Sequence, residues 1–138
     1  AAPVLRHSQI GEFSVVYSEE LDVWLLTYNS GSPRGITFHW AHEPWGPWRR
    51  AQVIFEPWRD GGYARFMHAL NMPNANLAGP VINPAPPAVE QWGGEYAPYM
   101  VERFLRYRDG ELVIYYLMST WNPYVVVLMR TEFDVEFE

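Results

Sequence analysis

The chain of 138 residues contains no cysteine and no lysine, and all ten of its basic side chains are arginine. Without cysteine the chain has no disulfide, no thiolate nucleophile and no thiolate metal ligand. Without lysine it has neither a Schiff-base residue nor a lysine general base. The net charge is −6, and only Arg49 and Arg50 are adjacent among the arginines. Because a nucleic-acid surface needs a concentrated basic patch, we expect no nucleic-acid partner.

Long apolar runs are also missing from the sequence. The longest ones, residues 112–118 and 124–129, are far shorter than the roughly twenty residues of a membrane-spanning helix. We therefore expect no membrane partner. The chain begins at Ala1 without Met, which fits a processed mature terminus or an excised fragment, and we expect a secreted protein. An apolar fraction of 49% favours one domain with a packed core over residues 1–138.

Helix signals are nearly absent, because twelve prolines and ten glycines interrupt every stretch that has a helical period. Strand signals are frequent. The sequence predicts strands over residues 13–18, 23–28, 36–41, 51–55, 63–68, 96–104, 111–119 and 124–133. Asp109 and Gly110 predict a hairpin turn between two of these strands, and Asn122-Pro123 predicts the next turn.

The strands form a pattern that occurs twice. An aromatic-rich strand at 13–17 or 96–100 is followed in each half by a strand, a Ser/Pro-containing turn and another strand. The pattern predicts an all-β fold of β-propeller-type antiparallel blades, with units over about 10–58 and 93–138 joined by a Pro/Gly/Asn-rich connection, 59–92. A ring needs roughly four to eight blades, and this chain has material for two or three. We therefore expect a partial ring that a homo-oligomer or a second chain completes.

Three short motifs carry a family resemblance. Residues 93–100 have the sequence GGEYAPYM, residues 119–124 have STWNPY, and residues 128–130 have LMR. They resemble the last blades of a five-bladed β-propeller family allied to arabinanases, some members of which look like endo-D-arabinanases. Members of that family are longer, and their early blades supply acidic residues to the central funnel. The resemblance implies glycoside hydrolysis of an arabinan-like glycan, with part of the catalytic apparatus missing from this chain.

Two carboxylates are candidates for catalysis, because glycoside hydrolysis ordinarily needs a pair of carboxyl groups. Glu95 follows two glycines and opens a predicted inner strand, where it would point into a central channel. Asp60 precedes another glycine pair. The alternatives are a salt bridge or a solvated strand-end carboxylate for Glu95, and an ordinary turn residue for Asp60.

Five further residues are candidates for substrate binding. His68 and Arg65 lie in the predicted strand before the long connection, where either could orient a sugar hydroxyl, and Tyr99 follows Glu95. Trp58 and Trp92 lie in turns, where exposed aromatic rings can stack on the apolar faces of sugars. The alternatives are a backbone-bonded histidine for His68 and simple packing for the tryptophans. A non-catalytic glycan-binding or subunit-assembly module therefore remains the alternative function.

The sequence favours neither a metal nor a cofactor. His39 and His42 have a spacing that suits a helix, and on a strand it would place the two rings on opposite faces. No phosphate-binding glycine loop, nucleotide fingerprint or serine nucleophile motif occurs. Arg34 is interpreted as a turn residue.

Overall fold

The computed structural model describes residues 1–63, 65–69 and 92–137, without the side chain of Arg50. These residues form two antiparallel sheets, each of four strands. The strands of the first sheet lie in chain order: β1 (Ile10–Ser18), β2 (Val23–Gly31), β3 (Arg34–Ala41) and β4 (Arg49–Phe55). The strands of the second sheet are β5 (Gly94–Met100), β6 (Arg106–Arg108), β7 (Glu111–Trp121) and β8 (Val125–Asp134).

The second sheet is built around β7. β8 pairs with almost the whole length of β7, while β5 pairs with its C-terminal half and β6 with its first three residues. β5 and β6 therefore share the other edge of β7, separated by the 3-10 turn Glu102–Phe104. The predicted fold class is confirmed: the described part of the chain is all-β, and its two antiparallel sheets are consistent with propeller-type blades.

Both predicted turns are present where the sequence indicates them. Asp109 and Gly110 have φ values of 53° and 88° and connect β6 to β7. Asn122 has a φ of 59° and precedes a cis proline in the turn between β7 and β8. Positive φ values suit glycine and, to a lesser degree, Asp and Asn, so residue choice and backbone conformation agree at both turns.

Two predicted strands are wrong in whole or in part. Over 63–68 the chain does not extend, because the backbone N–H groups of Arg65, Phe66 and Met67 all donate to the carbonyl oxygen of Gly62. This segment contributes only an isolated bridge between Tyr63 and Met67. The predicted strand over 96–104 ends at Met100, where the 3-10 turn replaces extended backbone. In both segments local backbone hydrogen bonds replace extended structure, although the aromatic residues there favour strands.

The core lies between the two sheets, which pack face to face. The rings of Phe38 on β3 and Phe133 on β8 meet edge to face with centroids 4.9 Å apart. The hydroxyl of Thr27 donates to the carbonyl of Pro98 at 3.4 Å, and the backbone N–H of Met100 donates to Ser14 Oγ at 3.1 Å. These two contacts join β1 and β2 to β5. They fix the position of the second sheet relative to the first.

One face of the second sheet is not covered by the described residues. Side chains on β7 alternate, and those at even positions from Leu112 to Thr120 are buried against the first sheet. The odd positions point outwards with their β8 partners, so Leu117 pairs with Leu128 on an exposed surface. We call this surface the open face. In the described part of the chain no helix is long and apolar enough to cross a membrane.

Candidate functional site

The two sheets are joined at one end by an ion pair whose carboxylate is buried. Arg34 is the first residue of β3 and Glu95 is the second residue of β5, so the pair links the two sheets. Arg34 donates from Nε to Glu95 Oε1 at 3.2 Å and from Nη2 to Oε2 at 2.9 Å. The Glu95 side chain is 3% exposed, whereas that of Arg34 is 40% exposed. A two-point bond of this kind fixes the orientation of the carboxylate.

The contact with Glu95 affects the pKa of Arg34. Burial acts to lower the pKa of Arg34, but the hydrogen bond and the negative charge of Glu95 outweigh it, so the pKa is raised above its ordinary value. The salt-bridge alternative for Glu95 is therefore the arrangement that the structure shows.

Gly93 connects four parts of the chain beside this pair. Its carbonyl oxygen accepts hydrogen bonds from Arg34 Nη2 and from the Tyr63 hydroxyl, both at 2.9 Å. Its N–H donates to the carbonyl of His68 at 2.6 Å, and the His68 N–H donates to the carbonyl of Asn122 at 3.1 Å. A β-carbon at Gly93 would lie 2.7 Å from the Asn122 oxygen. Glycine is therefore required here by close backbone approach.

Three aromatic rings lie against this junction, and we call them the aromatic cluster: Trp58, Tyr63 and Trp92. Their ring centroids are 4.5 Å apart for Trp58 and Tyr63, 4.9 Å for the two tryptophans, and 5.2 Å for Tyr63 and Trp92. Arg34 stands 5.5 Å above the Tyr63 ring, within the range of a cation–π contact. Trp58 is 55% exposed although two rings pack on it, so the cluster presents an aromatic surface to solvent.

Burial also affects the phenol of Tyr63. It raises the pKa of Tyr63, and the nearby Arg34 charge offsets this in part, so the net direction is upward. Tyr63 therefore remains a neutral donor to the Gly93 carbonyl at ordinary pH. The aromatic cluster, Arg34 and Glu95 form one continuous site.

The predicted site residues do not all lie in one place. Glu95, Trp58 and Trp92 come together at this site. His68 adjoins it through its backbone, with its side chain buried. Arg65 lies near Gly61, where a β-carbon would be 3.7 Å from its Nε. The roles proposed for these residues from the sequence stay predictions.

Asp60 belongs to the turn that contains Trp58. Its carboxylate accepts hydrogen bonds from Arg59 Nε at 2.9 Å and Nη2 at 2.7 Å, and from the backbone N–H of Glu56 at 2.7 Å. Burial acts to raise the pKa of Asp60, but these hydrogen bonds and the Arg59 charge outweigh it and lower the pKa below its ordinary value. The turn-residue alternative for Asp60 matches these contacts.

Tyr99 lies on the opposite face of the second sheet from Glu95. The β5–β7 register shifts between Tyr96 and Tyr99, and Tyr99 then pairs with Leu117 on the open face. Glu95, by contrast, pairs with the buried Thr120. Tyr99 is 65% exposed, but the sheet separates it from the aromatic cluster. A backbone irregularity of this kind leaves little trace in the sequence.

The structure adds Arg34 and Tyr63 to the residues predicted from the sequence. Arg34 starts β3 after a Ser-Pro turn, and its partner Glu95 is 61 positions further along the chain. Only a correct prediction of how the two sheets pack could have placed these charges together. Among the described residues, no group of three or more His, Cys, Asp and Glu side chains could hold a metal ion.

Comparison with known proteins gives one family match. A family model described as "Domain of unknown function (DUF4185)" matches residues 1–130, which is most of the chain. No curated protein matches the chain.

Proposed function

The chain belongs to this DUF4185 family, which is β-propeller-like, and from that premise we propose that it is a secreted, carbohydrate-active protein whose aromatic cluster binds a glycan. The observation that carries the proposal is the exposed Trp58 ring, held by Tyr63 and Trp92 beside the Arg34–Glu95 pair. Sugars bind proteins through aromatic rings that face their C–H groups and polar groups that bond their hydroxyls. The site has both.

An arabinan-like glycan is the substrate class that we propose, because the GGEYAPYM and STWNPY motifs resemble arabinanase-like propellers. Both motifs have residues at the site: Gly93 and Glu95 come from the first, and Asn122 from the second. In a hydrolase of this kind Glu95 would act as a nucleophile or stabilising anion. The proton donor would then come from residues outside the site described above, since the carboxylates of Asp60 and Glu56 accept backbone hydrogen bonds within the turn that contains Trp58.

The test of glycan binding uses two tryptophans of similar exposure. Trp58→Ala removes the exposed ring of the aromatic cluster, and Trp45→Ala removes a ring that is 65% exposed in the turn after β3. Calorimetric titration with D-arabinan and L-arabinan should show binding to the wild type and weakening of about tenfold or more in Trp58→Ala. The Trp45→Ala variant should bind as the wild type does. Equal affinity in all three proteins would refute the site.

Hydrolysis is tested separately by Glu95→Gln, which keeps the volume of the side chain. If Glu95 takes part in catalysis, this variant should bind arabinan but release no reducing ends from it. A wild type that binds arabinan without releasing reducing ends would instead support a non-catalytic glycan-binding module. The bidentate pairing of Glu95 with Arg34 is the observation in favour of that second candidate.

Subunit assembly is the other function that a specific observation favours. The open face exposes apolar side chains of strands β7 and β8, including Leu117 at 39%, Val126 at 64% and Leu128 at 62%. At the other end of the two-sheet stack, the outward side of the first sheet has an apolar groove of about 270 Å³ that Phe13 and Val15 help to line. Exposed apolar surfaces of this kind mark interaction sites.

We propose that a second copy of the chain covers these surfaces and extends the stack of sheets. Light scattering should then give a mass above that of one chain, and Leu128→Glu should return the mass to that of a monomer. Glu20→Gln, in the exposed turn between β1 and β2 and outside both apolar surfaces, is the control. A wild-type monomer would contradict this assembly.

A further inference from the structure

The charged groups around the aromatic cluster compensate one another almost completely. Arg34 is paired with the buried Glu95, and Arg59 is paired with Asp60 in the turn that contains Trp58. The carboxylate of Glu56 accepts hydrogen bonds from the backbone N–H groups of Trp58 and Arg59. These groups are two arginines and three carboxylates, and Arg65 lies close to Gly61 beside the same turn. The formal charge of the six side chains together is zero.

The segment between Ala69 and Trp92 contains no positively charged residue. Residues 70–91, which lie outside the described part of the chain, contain a single charged residue, Glu90. The protein as a whole is acidic, with a net charge of −6. An anionic ligand would therefore meet no uncompensated arginine at the Arg34–Glu95 pair, and the field of the whole chain would repel it.

We infer that this site selects uncharged glycans and rejects those that carry carboxylate or sulfate groups, and that the carboxylates of Glu95 and Asp60 set this preference by cancelling the charges of Arg34 and Arg59. The inference rests on the proposed glycan-binding function and adds the charge class of the ligand. The Arg34 side chain is 40% exposed, so this hydrogen-bond donor is partly open to solvent. Glu95 leaves that donor in place while it cancels the charge that would attract an acidic sugar.

Arg34 also has anchors that do not depend on Glu95. Its Nη2 donates to the Gly93 carbonyl at 2.9 Å, and its guanidinium stands over the Tyr63 ring. Replacing Glu95 by Gln should therefore leave Arg34 close to its native position but without a counter-charge. Such an arginine is a suitable partner for a carboxylate, which it can bind through two parallel hydrogen bonds.

The experiment compares one neutral and one acidic polysaccharide, arabinan and polygalacturonate. The wild type should bind arabinan with an affinity that does not change between low and about 0.5 M salt, and should bind polygalacturonate far more weakly. Glu95→Gln should gain affinity for polygalacturonate of about tenfold at low salt, because a charged hydrogen bond becomes available. That gain should disappear at high salt and in the double variant Arg34→Gln/Glu95→Gln.

A second variant tests the same charge preference if Glu95→Gln does not fold. Asp60→Asn exposes the charge of Arg59 beside Trp58, in a turn that is partly exposed, and should give a salt-sensitive gain for polygalacturonate as well. A wild type that binds polygalacturonate as tightly as arabinan would overturn the inference, as would folded Glu95→Gln and Asp60→Asn variants with no gain. A wild type that binds neither polysaccharide would refute the proposed function instead, whereas an acidic-glycan gain in the variants would still support the role of Glu95.

Discussion

From the Arg34–Glu95 pair we predict that replacing one partner lowers the free energy of unfolding more than replacing the other. Arg34→Met keeps most of the aliphatic stem but leaves the Glu95 carboxylate, 3% exposed, without its counter-charge. Removing one partner of a buried pair typically costs about 3–5 kcal/mol, because the remaining charge is desolvated. Glu95→Gln leaves Arg34, which is 40% exposed and can be hydrated, and the amide oxygen can still accept a hydrogen bond. We expect a cost of about 1–2 kcal/mol for that variant.

Urea unfolding followed by far-ultraviolet circular dichroism measures both costs as changes in the free energy of unfolding. The double variant Arg34→Met/Glu95→Gln should be more stable than Arg34→Met alone, since no unpaired charge remains. Arg59→Met is the matched control, because the Arg59–Asp60 pair is largely exposed and should contribute less than about 1 kcal/mol. Equal costs for Arg34→Met and Glu95→Gln would refute this reasoning about burial.

Two further predictions test the junction and the core. Gly93→Ala should lower the free energy of unfolding by about 1–3 kcal/mol, because its β-carbon would lie 2.7 Å from the Asn122 carbonyl oxygen. In the control Gly94→Ala the β-carbon meets no atom within 4 Å, so this variant should be neutral or slightly stabilising. Equal unfolding midpoints for the two variants would contradict the close approach at Gly93. Burial raises the pKa of Tyr116 far above that of tyrosine in the unfolded chain, so the unfolded state loses this proton first as the pH rises. The free energy of unfolding should therefore fall above about pH 10, by up to ~1.4 kcal/mol per pH unit. The fall should be shallower in Tyr116→Phe, and an unchanged slope in urea titrations at pH 8 to 11 would show that Tyr116 is not responsible.

Much of the fold could be predicted from the sequence because its signals are local. β7 alternates buried and outward side chains, as its apolar run with period two indicates. The turn at Asp109 and Gly110 has the positive φ values that this residue pair favours. The segment around Tyr63 misled the prediction for the same reason. Its residues favour a strand, but hydrogen bonds to the Gly62 carbonyl wind the chain instead.

The site could be predicted only in part, since it depends on contacts between distant segments. The turn positions of Trp58 and Trp92 predict exposed rings, and their contact with Tyr63 adds what the sequence does not show. By its sequence Arg34 is a turn residue, because nothing in its neighbourhood points to Glu95. The position of Tyr99 depends on a shift of register inside β5, which moves it to the face opposite Glu95. Packing of one sheet on the other decides the first case, and the register of β5 on β7 decides the second.

Oxidative footprinting of the tryptophans with and without arabinan tests the central claim most directly. The claim is that the aromatic cluster beside the Arg34–Glu95 pair is a glycan-binding site. Trp58 and Trp45 are both more than half exposed in the free protein, so both should be oxidised readily. Saturating arabinan should protect Trp58 and leave the oxidation of Trp45 unchanged. Equal oxidation of Trp58 with and without arabinan, at concentrations where the glycan is bound, would contradict the account.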